Sequence, residues 1–350
     1  MPTFAPATLT EYVARIFEAA GTPAADAQTV AAHLVESNML GHDSHGVIRV
    51  ERYVRDIAGG RIKPGAPFTI EKQSATTAVI DGGWNFGQVV ARDATALAIE
   101  QARASGVSIT VAHQCGHVGR LGAYCEQIVQ AGMLGIAMVN NHGGSQVMTP
   151  PGGIARRLSP NPIGVGIPTS DADAPILLDM TTSVVAEGKL RVSRNKGEAV
   201  PEGWIVDAEG RGSTDPNAYY ATPSGAILPM GGASSYKGFG LALVVEALAG
   251  ALSPAGTSRV NGPSGANGLF VMAIDIAHFR PVDEFGATIS GLIDYVQSPP
   301  LAPGVDHIVI PGEPERNARK SRAAAVSIDD ETWRQTTEAG ASVGVQALAV

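Results

Sequence analysis

The chain has only two cysteines, Cys115 and Cys125, among its 350 residues. Two thiols are too few for a disulfide framework or for a zinc site built on four thiolates. The sequence therefore predicts a protein of a reducing compartment, and we expect it in the cytoplasm. The N-terminal residues fit this expectation, because no basic leader followed by an apolar run is found there. They instead suggest a capping box from Thr8 to Glu11 that opens a helix.

Long hydrophobic runs and an excess of basic residues are also missing. The most apolar segment, 239–252, is interrupted by Glu246 and Gly250 and is too short to cross a bilayer, so we expect no membrane partner. Lys and Arg number 25 against 33 Asp and Glu, which gives a formal net charge of −8. Nucleic-acid-binding proteins normally present a basic surface, so we expect no nucleic-acid partner. A small anionic substrate stays compatible with this charge, because one local arginine can bind it.

Several signature motifs are absent as well. The sequence contains no GxGxxG, which argues against the dinucleotide fingerprint of a Rossmann fold, and no GxxxxGK[ST]. It also lacks the GxSxG elbow of α/β-hydrolases and the HExxH of helical zinc sites. A nucleotide cofactor, if one binds, therefore needs a different phosphate site.

The segment GHDSHGVIR, from Gly41 to Arg49, places two imidazoles, an acid, a hydroxyl and a guanidinium close together. Imidazole transfers protons near neutral pH, and a guanidinium can hold a carboxylate through two parallel hydrogen bonds. A helix that begins after Gly46 carries Arg49, Arg52 and Asp56 along one face. Its other face is apolar and consists of Val50, Tyr53, Val54 and Ile57.

Two other interpretations of this segment remain. Asp43 or Ser44 caps the helix, and His42 and His45 are ordinary loop residues. Alternatively, Ser44 is the nucleophile of a serine hydrolase, although triad partners normally come from distant segments.

A second cluster, HQCGHVGRLG, runs from His113 to Gly122 and follows the β-rich run VSITVA. Polar side chains just beyond the carboxyl end of a strand lie where α/β proteins bind ligands. His117 is flanked by Gly116 and Gly119, which leave room for a ligand beside the imidazole. The alternatives are a structural histidine and a zinc site of His113, Cys115 and His117, which lacks a fourth ligand.

The remaining pattern predicts an α/β core. Helices are expected over the first 60 residues. After them, short β-rich runs alternate with helices, which indicates that some of the strands pair in parallel. The segment 141–168 is rich in Gly and Pro and is predicted to be irregular. The expected helices are Leu9–Ala20, Ala24–Met39, the helix after Gly46, Gln88–Ala104, Gly119–Ala131, Ser183–Arg194, a helix from about Lys237, and Phe285–Gln297.

Two glycine-rich places can receive phosphates. One is Asn141–Gly153, directly after the strand LGIAMV, and the other is Ser234–Gly240. In the second, Lys237 stands at the start of a helix whose free backbone N–H groups favour an anion. Plain turns and a solvated lysine are the alternatives.

Taken together, these segments resemble the malate/lactate dehydrogenase family that lacks a Rossmann fold. That family also contains ureidoglycolate, sulfolactate and 2,3-diketogulonate oxidoreductases. The resemblance extends from about Leu9 to Trp333, and the HVGRLG and PGE segments look most like bacterial hydroxycarboxylate dehydrogenases. It rests on GHDSHG, GQVVARDA, GHVGRLG, the NP of SPNPIG, LLDMTTSVVAEGK, PEGWIVDAEG, YKGFGLALVVEALAGALS and PGEPERNARK. Where the family commonly has GTNP, this chain has SPNP at 159–162.

The resemblance implies an NAD(P)-dependent oxidoreductase that interconverts 2-hydroxy and 2-oxo acids, and it leaves open which of NAD and NADP is used. The implied acid/base is His117, and the implied substrate site contains Ser44, His45 and Arg49, with Arg49 as the carboxylate anchor. No metal is implied. The implied cofactor contacts are Asn141, Asp179, Met180, Thr181, Lys237, Pro311, Gly312 and Glu313.

The resemblance also implies a fold and an assembly. We expect a non-Rossmann, layered α/β/α protein with a mixed sheet, a helical N-terminal region and a C-terminal arm, and we expect a homodimer. The expected division is 1–75 for the N-terminal region, 76–315 for the core and 316–350 for an arm that packs back on the N-terminal region. Alternatives on the same scaffold are a cyclic imino acid reductase, a ureidoglycolate or sulfolactate dehydrogenase, and an inactive dimeric binding protein.

Overall fold

A computed structural model describes residues 1–259 and 265–348, with the side chain of Asn195 also outside the description. The helices largely follow the expected apolar periodicity, and several begin or end a few residues away from the predicted bounds. They are α1 Pro6–Ala19, α2 Ala24–Met39, α3 Val50–Ala58, α4 Gly87–Ser105, α5 Gly122–Gln130, α6 Glu187–Lys196, α7 Asn217–Tyr220, α8 Tyr236–Val245, α9 Val282–Gln297, α10 Glu313–Arg322 and α11 Asp330–Ser342.

The strands form one large sheet and two small ones over the described residues. They are β1 Thr3–Phe4, β2 Thr69–Gln73, β3 Thr77–Asp81, β4 Val107–Gly116, β5 Met133–Asn140, β6 Ile163–Ile167, β7 Ile176–Met180, β8 Ile205–Val206, β9 Gly212–Ser213, β10 Ala226–Ile227, β11 Ala266–Asp275 and β12 Val326–Ser327. The large sheet has the order β2-β3-β4-β11-β5-β6-β7.

The large sheet is mixed. Strands β3 and β4 pair in parallel, and every other pair of neighbouring strands in this sheet is antiparallel. A Rossmann sheet is mostly parallel, so the absence of its glycine fingerprint agrees with this topology. Helices α4 and α5 pack on one face in a core that contains Ala94, Ala98 and Ile128. The end of α8 and its continuation cover the other face through Val245 and Ala249. The layered, non-Rossmann α/β/α architecture predicted from the sequence is therefore confirmed.

A separate core holds the N-terminal helices together. Helices α1, α2 and α3 bury apolar side chains against one another, and Val326, Ile328 and Trp333 from the C-terminal segment lie in the same core. Strand β12 pairs with β1, which ties the two ends of the described chain. The division into regions at 75/76 and 315/316 stays a prediction.

The predicted capping box at Thr8 is wrong. Helix α1 already begins at Pro6, and its N-cap Ala5 makes no side-chain capping hydrogen bond. Proline has a fixed φ and no N–H, so it is well suited to the first turn and starts the helix two residues before Thr8.

Two further boundaries differ from the expectation. The segment 141–168 is not wholly irregular, because β6 lies inside it between β5 and β7. Its glycines suit this position, since a Cβ at Gly164 or Gly166 would lie within 3 Å of α5 side-chain or backbone atoms. The helix expected from Ser183 begins at Glu187. Among the described residues, no helix is long and apolar enough to cross a membrane.

Candidate active site

The segment 41–49 folds as two short 3-10 turns, Asp43–His45 and Val47–Arg49, that lead into α3. The buried Asn38 of α2 holds these turns, because its Nδ2 donates to Asp43 Oδ1 at 2.8 Å and its Oδ1 accepts from Val47 N at 2.9 Å. A Cβ at Gly46 would lie 2.2 Å from Asn38 Oδ1, so only glycine fits there. Asp43 also pairs with Arg322 at 3.0 Å. Asp43 therefore orders the turn, and neither it nor Ser44 caps α3.

The two histidine motifs meet in space, although His45 and His117 are 72 positions apart in the chain. The rings of His45 and His117 stack with centroids 5.5 Å apart and an interplanar angle of 17°. Ser44 Oγ lies 3.1 Å from His45 Nδ1. The structure therefore brings three of the predicted site residues into one cluster at the carboxyl end of β4.

Tyr53 completes this cluster, although its place on the apolar face of α3 gave no sign of a role in the site. Its hydroxyl lies 2.8 Å from His117 Nδ1 and 2.8 Å from Gln88 Nε2. Because Nδ1 pairs with Tyr53, Nε2 is the ring nitrogen of His117 that stays available for another partner. The tautomer with its proton on Nδ1, donated to the Tyr53 oxygen, leaves Nε2 free to accept a proton.

Arg49 lies beside this cluster with its terminal nitrogens available. Its Nε donates to Ser44 O at 2.7 Å, which fixes the plane of the guanidinium. Within residues 1–259 and 265–348, no carboxylate lies within ion-pair distance of Arg49, whereas Arg52 on the next turn pairs with Asp56 at 3.4 Å. A half-buried guanidinium with no internal counter-ion is suited to an anionic ligand.

Burial keeps the imidazoles of the cluster neutral. It lowers the pKa of His45 to about 3, and the positive charge of Arg49 adds to this effect. Burial also lowers the pKa of His117 well below its usual value, with Arg49 and His45 as further causes. Burial raises the pKa of Tyr53 to about 12, so this hydroxyl stays protonated. At neutral pH, the ring of His117 is therefore in its neutral form.

The loop that carries His117 is fixed by three side chains that the sequence did not single out. His33 Nε2 accepts from Arg120 N at 2.9 Å, and Asn267 Oδ1 accepts from Val118 N at 2.9 Å. The Tyr124 hydroxyl donates to Val118 O and its ring stacks on His33. Burial, followed by the charge of Arg120, lowers the pKa of His33 to about 3, so His33 accepts this hydrogen bond as a neutral ring.

The neutral imidazoles of His33 and His45 predict a loss of stability in acid. The pKa values of His33 and His45 are about 3 in the fold and near 6.5 when the chain is unfolded. The unfolded chain therefore binds more protons, and stability that is fully present above pH 6.5 is lost as the pH falls towards 3. We expect the free energy of unfolding, measured with urea, to fall by roughly 2 kcal/mol per imidazole between pH 7.5 and pH 5.

His33→Gln separates this effect from general acid sensitivity. Glutamine retains an acceptor for Arg120 N but does not titrate. The loss of unfolding free energy between pH 7.5 and pH 5 should therefore be smaller by the contribution of one imidazole. His278→Gln is the control, because His278 is exposed. An equal loss in wild type and His33→Gln would contradict the prediction.

The predicted cofactor residues extend from this cluster across the sheet. Asn141 follows β5, and its Oδ1 accepts from Asn267 Nδ2 at 3.2 Å, which links it to the loop of His117. Asp179, on β7, accepts from Gly122 N at 2.7 Å through Oδ2. Met180 pairs with Ile163 of β6, and Thr181 Oγ1 donates to Ser183 O at 3.0 Å.

The segment Pro311–Glu313 lies at the edge of the sheet beside β7. Leu177 N donates to Pro311 O at 3.1 Å, and a Cβ at Gly312, whose φ is 93°, would lie 3.0 Å from the Leu177 side chain. Glu313 binds His307 at 2.8 Å, and hydrogen bonds from Ile310 N and His307 lower its pKa.

Lys237 lies in the first turn of α8, which no side chain caps. A Cβ at the neighbouring Gly238 would lie 2.9 Å from Thr182 O, so the start of α8 is close to the end of β7. An exposed ammonium at an uncapped helix start suits a phosphate. Over the described ranges, Lys237 makes no ion pair with a carboxylate.

The alternative zinc site is not formed. Cys115 Sγ donates to Asn267 O at 2.9 Å, and His113 Nε2 pairs with Glu71 Oε2 at 2.9 Å, while His117 is held by Tyr53. Burial raises the pKa of Cys115 to about 12, so its thiol stays protonated and is a poor ligand. The three side chains therefore have separate partners.

Comparison with known proteins decides the family. The model of the family described as malate/L-lactate dehydrogenase matches residues 4–337. The chain belongs to the malate/L-lactate dehydrogenase family. Among curated relatives, the malate dehydrogenase of Pyrococcus horikoshii is 36% identical over 349 residues, which covers 97% of this chain and 95% of that protein.

Solved structures of the malate/L-lactate dehydrogenase family share the whole fold. The sulfolactate dehydrogenase of Methanocaldococcus jannaschii superposes with a TM-score of 0.89 at 31% identity, covering 99% of this chain and 98% of that one. The delta1-piperideine-2-carboxylate reductase of Pseudomonas syringae pvar. tomato gives 0.84 at 26% identity, covering 97% and 100%. The family thus includes dehydrogenases of hydroxy acids, and the same fold also carries an imine reductase.

Proposed function

We propose that the protein transfers a hydride between a nicotinamide cofactor, NAD or NADP, and a 2-hydroxy acid/2-oxo acid pair. His117 is the general acid/base and Arg49 is the carboxylate anchor. One observation carries this proposal: the cluster that stacks His45 on His117 also contains a guanidinium whose terminal nitrogens have no carboxylate partner in the described part of the chain.

The chain's own residues account for binding and proton transfer. Arg49 holds the substrate carboxylate through two parallel hydrogen bonds, which orients the carbon that carries the hydroxyl. Ser44 and His45 line the same side and polarise the acid. In the oxidative direction, His117 Nε2 accepts the hydroxyl proton, and in the reductive direction it returns a proton to the carbonyl oxygen. When bound, the nicotinamide cofactor supplies the donor or acceptor for the hydride.

The electrostatics suit both directions. Without substrate, the charge of Arg49 helps to keep His117 neutral. A carboxylate bound to Arg49 offsets that charge, so binding of the acid raises the pKa of His117 and makes the protonated form easier to reach. The anchor of the substrate thus also adjusts the acid/base.

The cofactor would be held along the sheet edge that runs from His117 to β7. The donors fit a dinucleotide: an exposed ammonium at Lys237 with the uncapped start of α8 for a phosphate, and amide and hydroxyl groups at Asn141 and Thr181. Asp179, Met180 and the segment Pro311–Glu313 complete the proposed contacts. Asn161, in the SPNP segment, instead binds the buried Glu246 at 2.9 Å and lies inside the core.

A single assay tests this function. Reduction is followed at 340 nm over a panel of 2-oxo acids with NADH and with NADPH, and the same panel includes cyclic imino acids. We expect turnover of 2-oxo acids. Comparison of the rates with NADH and with NADPH gives the cofactor preference. Turnover of imino acids alone would establish the imine reductase alternative. The structural likeness to a piperideine-carboxylate reductase is the reason for including this alternative. If neither reduced cofactor binds in a fluorescence titration, the inactive binding protein is the alternative that remains.

We also propose that the protein is a homodimer. Helix α9 has 16 residues, of which only Gly286 is buried, and it exposes Leu292, Tyr295 and Val296. Apolar side chains such as Leu243 and Val244 are likewise exposed on α8. Exposed apolar helix faces of this kind mark interaction surfaces, and a second copy of the chain is the partner that the family resemblance implies.

The double variant Leu292→Glu and Tyr295→Glu tests this interface. Two buried, unpartnered carboxylates in an apolar contact are strongly unfavourable, so light scattering should give twice the mass of one chain for wild type and one chain mass for the variant. Ile154→Glu is the matched control, because Ile154 is an exposed apolar side chain outside both helices. If the double variant is still a dimer, the interface lies elsewhere.

A further inference from the structure

Three side chains with metal-binding groups lie together on the neighbouring strands β2, β3 and β4, outside the histidine cluster. Glu71, Asp81 and His113 each present one ligand atom, and these three atoms lie within 4.8 Å of one another. His113 Nε2 lies 2.9 Å from Glu71 Oε2. His113 is buried and Glu71 is exposed, so solvent reaches the cluster from the side of Glu71. One imidazole and two carboxylates therefore converge at an accessible point of the sheet.

The register of the sheet brings these residues together. Asp81 and His113 are direct partners in the parallel pairing of β3 with β4, so their side chains lie side by side on one face. Glu71 is the extra residue of a β-bulge, because the pairing of β2 with β3 shifts between Ile70 and Lys72. Bulges redirect side chains and are frequent next to functional sites. Here the bulge directs the Glu71 carboxylate to the imidazole of His113.

The charge of this cluster favours a cation. In the part of the chain that the structure describes, neither carboxylate has a lysine or arginine within ion-pair distance, and Glu71 pairs with His113 instead. Asp81 Oδ1 accepts from Gly83 N at 2.8 Å, which leaves Oδ2 available for a ligand. Two neighbouring carboxylates repel each other, and a divalent cation between them replaces this repulsion by attraction. The cluster therefore has both the ligand atoms and the charge of a metal site.

A second buried imidazole gives independent support. His142 is 8% exposed, and neither of its ring nitrogens has a hydrogen-bond partner among the described residues. Burial lowers the pKa of His142, and the charge of His113 adds to this effect, so the two imidazoles lie within electrostatic range of each other. Buried polar groups are nearly always paired, and an unpaired one often accompanies an ion or an ordered water. His142 is therefore consistent with an ion and its bound water close to His113.

We propose that Glu71, Asp81 and His113 bind one zinc ion. Zinc lies about 2.1 Å from nitrogen and oxygen ligands, so the three ligand atoms must approach to about 3.5 Å of one another, which small rotations of the exposed Glu71 side chain allow. Three protein ligands leave a fourth position for water. Imidazole is a good ligand for zinc, whereas Mg²⁺ and Ca²⁺ take oxygen ligands. The ion joins three strands and so stabilises this edge of the sheet.

Isothermal titration of the EDTA-treated full chain with Zn²⁺ tests this site, and it does not depend on hydride transfer. We expect one tight zinc ion per chain in wild type. Asp81→Asn keeps an oxygen for Gly83 N, and Glu71→Gln keeps one for His113, so both variants retain the local hydrogen bonds and lose a charged ligand. Each change should raise the Kd for zinc roughly 100-fold or more, because even residues that only orient metal ligands contribute 10- to 100-fold.

Thermal unfolding gives a second measurement. Zinc at about 100 times its Kd should raise the Tm of wild type by roughly 5 °C and leave that of Asp81→Asn unchanged, each relative to the same protein in EDTA. Glu315→Gln is the matched control, because Glu315 forms a similar pair with His42 at 3.2 Å outside this cluster. The proposal is wrong if wild type binds no zinc, if Asp81→Asn binds it equally well, if Glu315→Gln loses as much affinity, or if Ca²⁺ binds as tightly as zinc.

Discussion

His117→Asn is expected to lower kcat for reduction of a good 2-oxo acid by roughly 1000-fold, within the usual contribution of a general acid/base. Asparagine is polar and similar in size, but it does not titrate, so the carbonyl oxygen loses its proton donor. The Nδ1 contact to Tyr53 that orients the ring is lost as well. Initial rates at 340 nm, with saturating cofactor, measure the change.

Two companion variants give this result its meaning. Tyr53→Phe removes the hydroxyl between His117 and Gln88, so the ring keeps its chemistry but loses its orienting partner, and we expect a fall of about tenfold in kcat with a shifted pH profile. His278→Asn is the control, because His278 is exposed and its Nε2 pairs with Arg103 O away from the cluster. A His117→Asn enzyme within a few-fold of wild type would remove the acid/base from this position.

The expectations from the sequence succeeded where the signal is local. Periodic apolar residues located the long helices, whereas the site expected from the density of functional groups in 41–49 stays a prediction. The two histidine motifs were placed in one site by resemblance. The stacking of His45 on His117 then gave that assignment a physical basis.

Other parts of the site have no local signal. Tyr53 has the spacing of a core residue on α3, and its hydroxyl meets His117 only through a contact 64 positions away in the chain. His33 and Asn267 likewise act on the loop of His117 across long separations. Such partners depend on how helices and strands pack, which periodicity does not specify.

The glycine-rich segment that contains β6 shows a different limit. Glycine and proline normally indicate turns, and so the segment was expected to be irregular. In the fold, Gly164 and Gly166 lie where α5 approaches the sheet too closely for a side chain, and tertiary packing overrides local preference. Trp84 is a similar case, because nothing in its neighbours predicts a left-handed backbone at a tryptophan.

Arg49→Lys is expected to raise the KM for the 2-oxo acid by roughly 30-fold, because one ammonium cannot reproduce two parallel hydrogen bonds from a guanidinium held by Ser44 O. Arg55→Lys is the matched control: it lies on α3, which begins directly after Arg49, is exposed, and pairs with Glu51. An unchanged KM in Arg49→Lys would rule out Arg49 as the carboxylate anchor.

Arg49→Met adds a test based on the pH dependence of kcat/KM. Methionine removes the positive charge of Arg49 as well as its hydrogen-bonding geometry. Oxidation of a 2-hydroxy acid requires neutral His117, so the acid limb of kcat/KM reports the pKa of this imidazole in the free enzyme. That pKa is depressed by burial and by the charge of Arg49, which places the limb below pH 6.5 in wild type. Removal of the charge raises the pKa of His117, so the limb should move to higher pH in Arg49→Met but stay in place in Arg55→Met. A limb that does not move would mean that Arg49 and His117 do not share one electrostatic site.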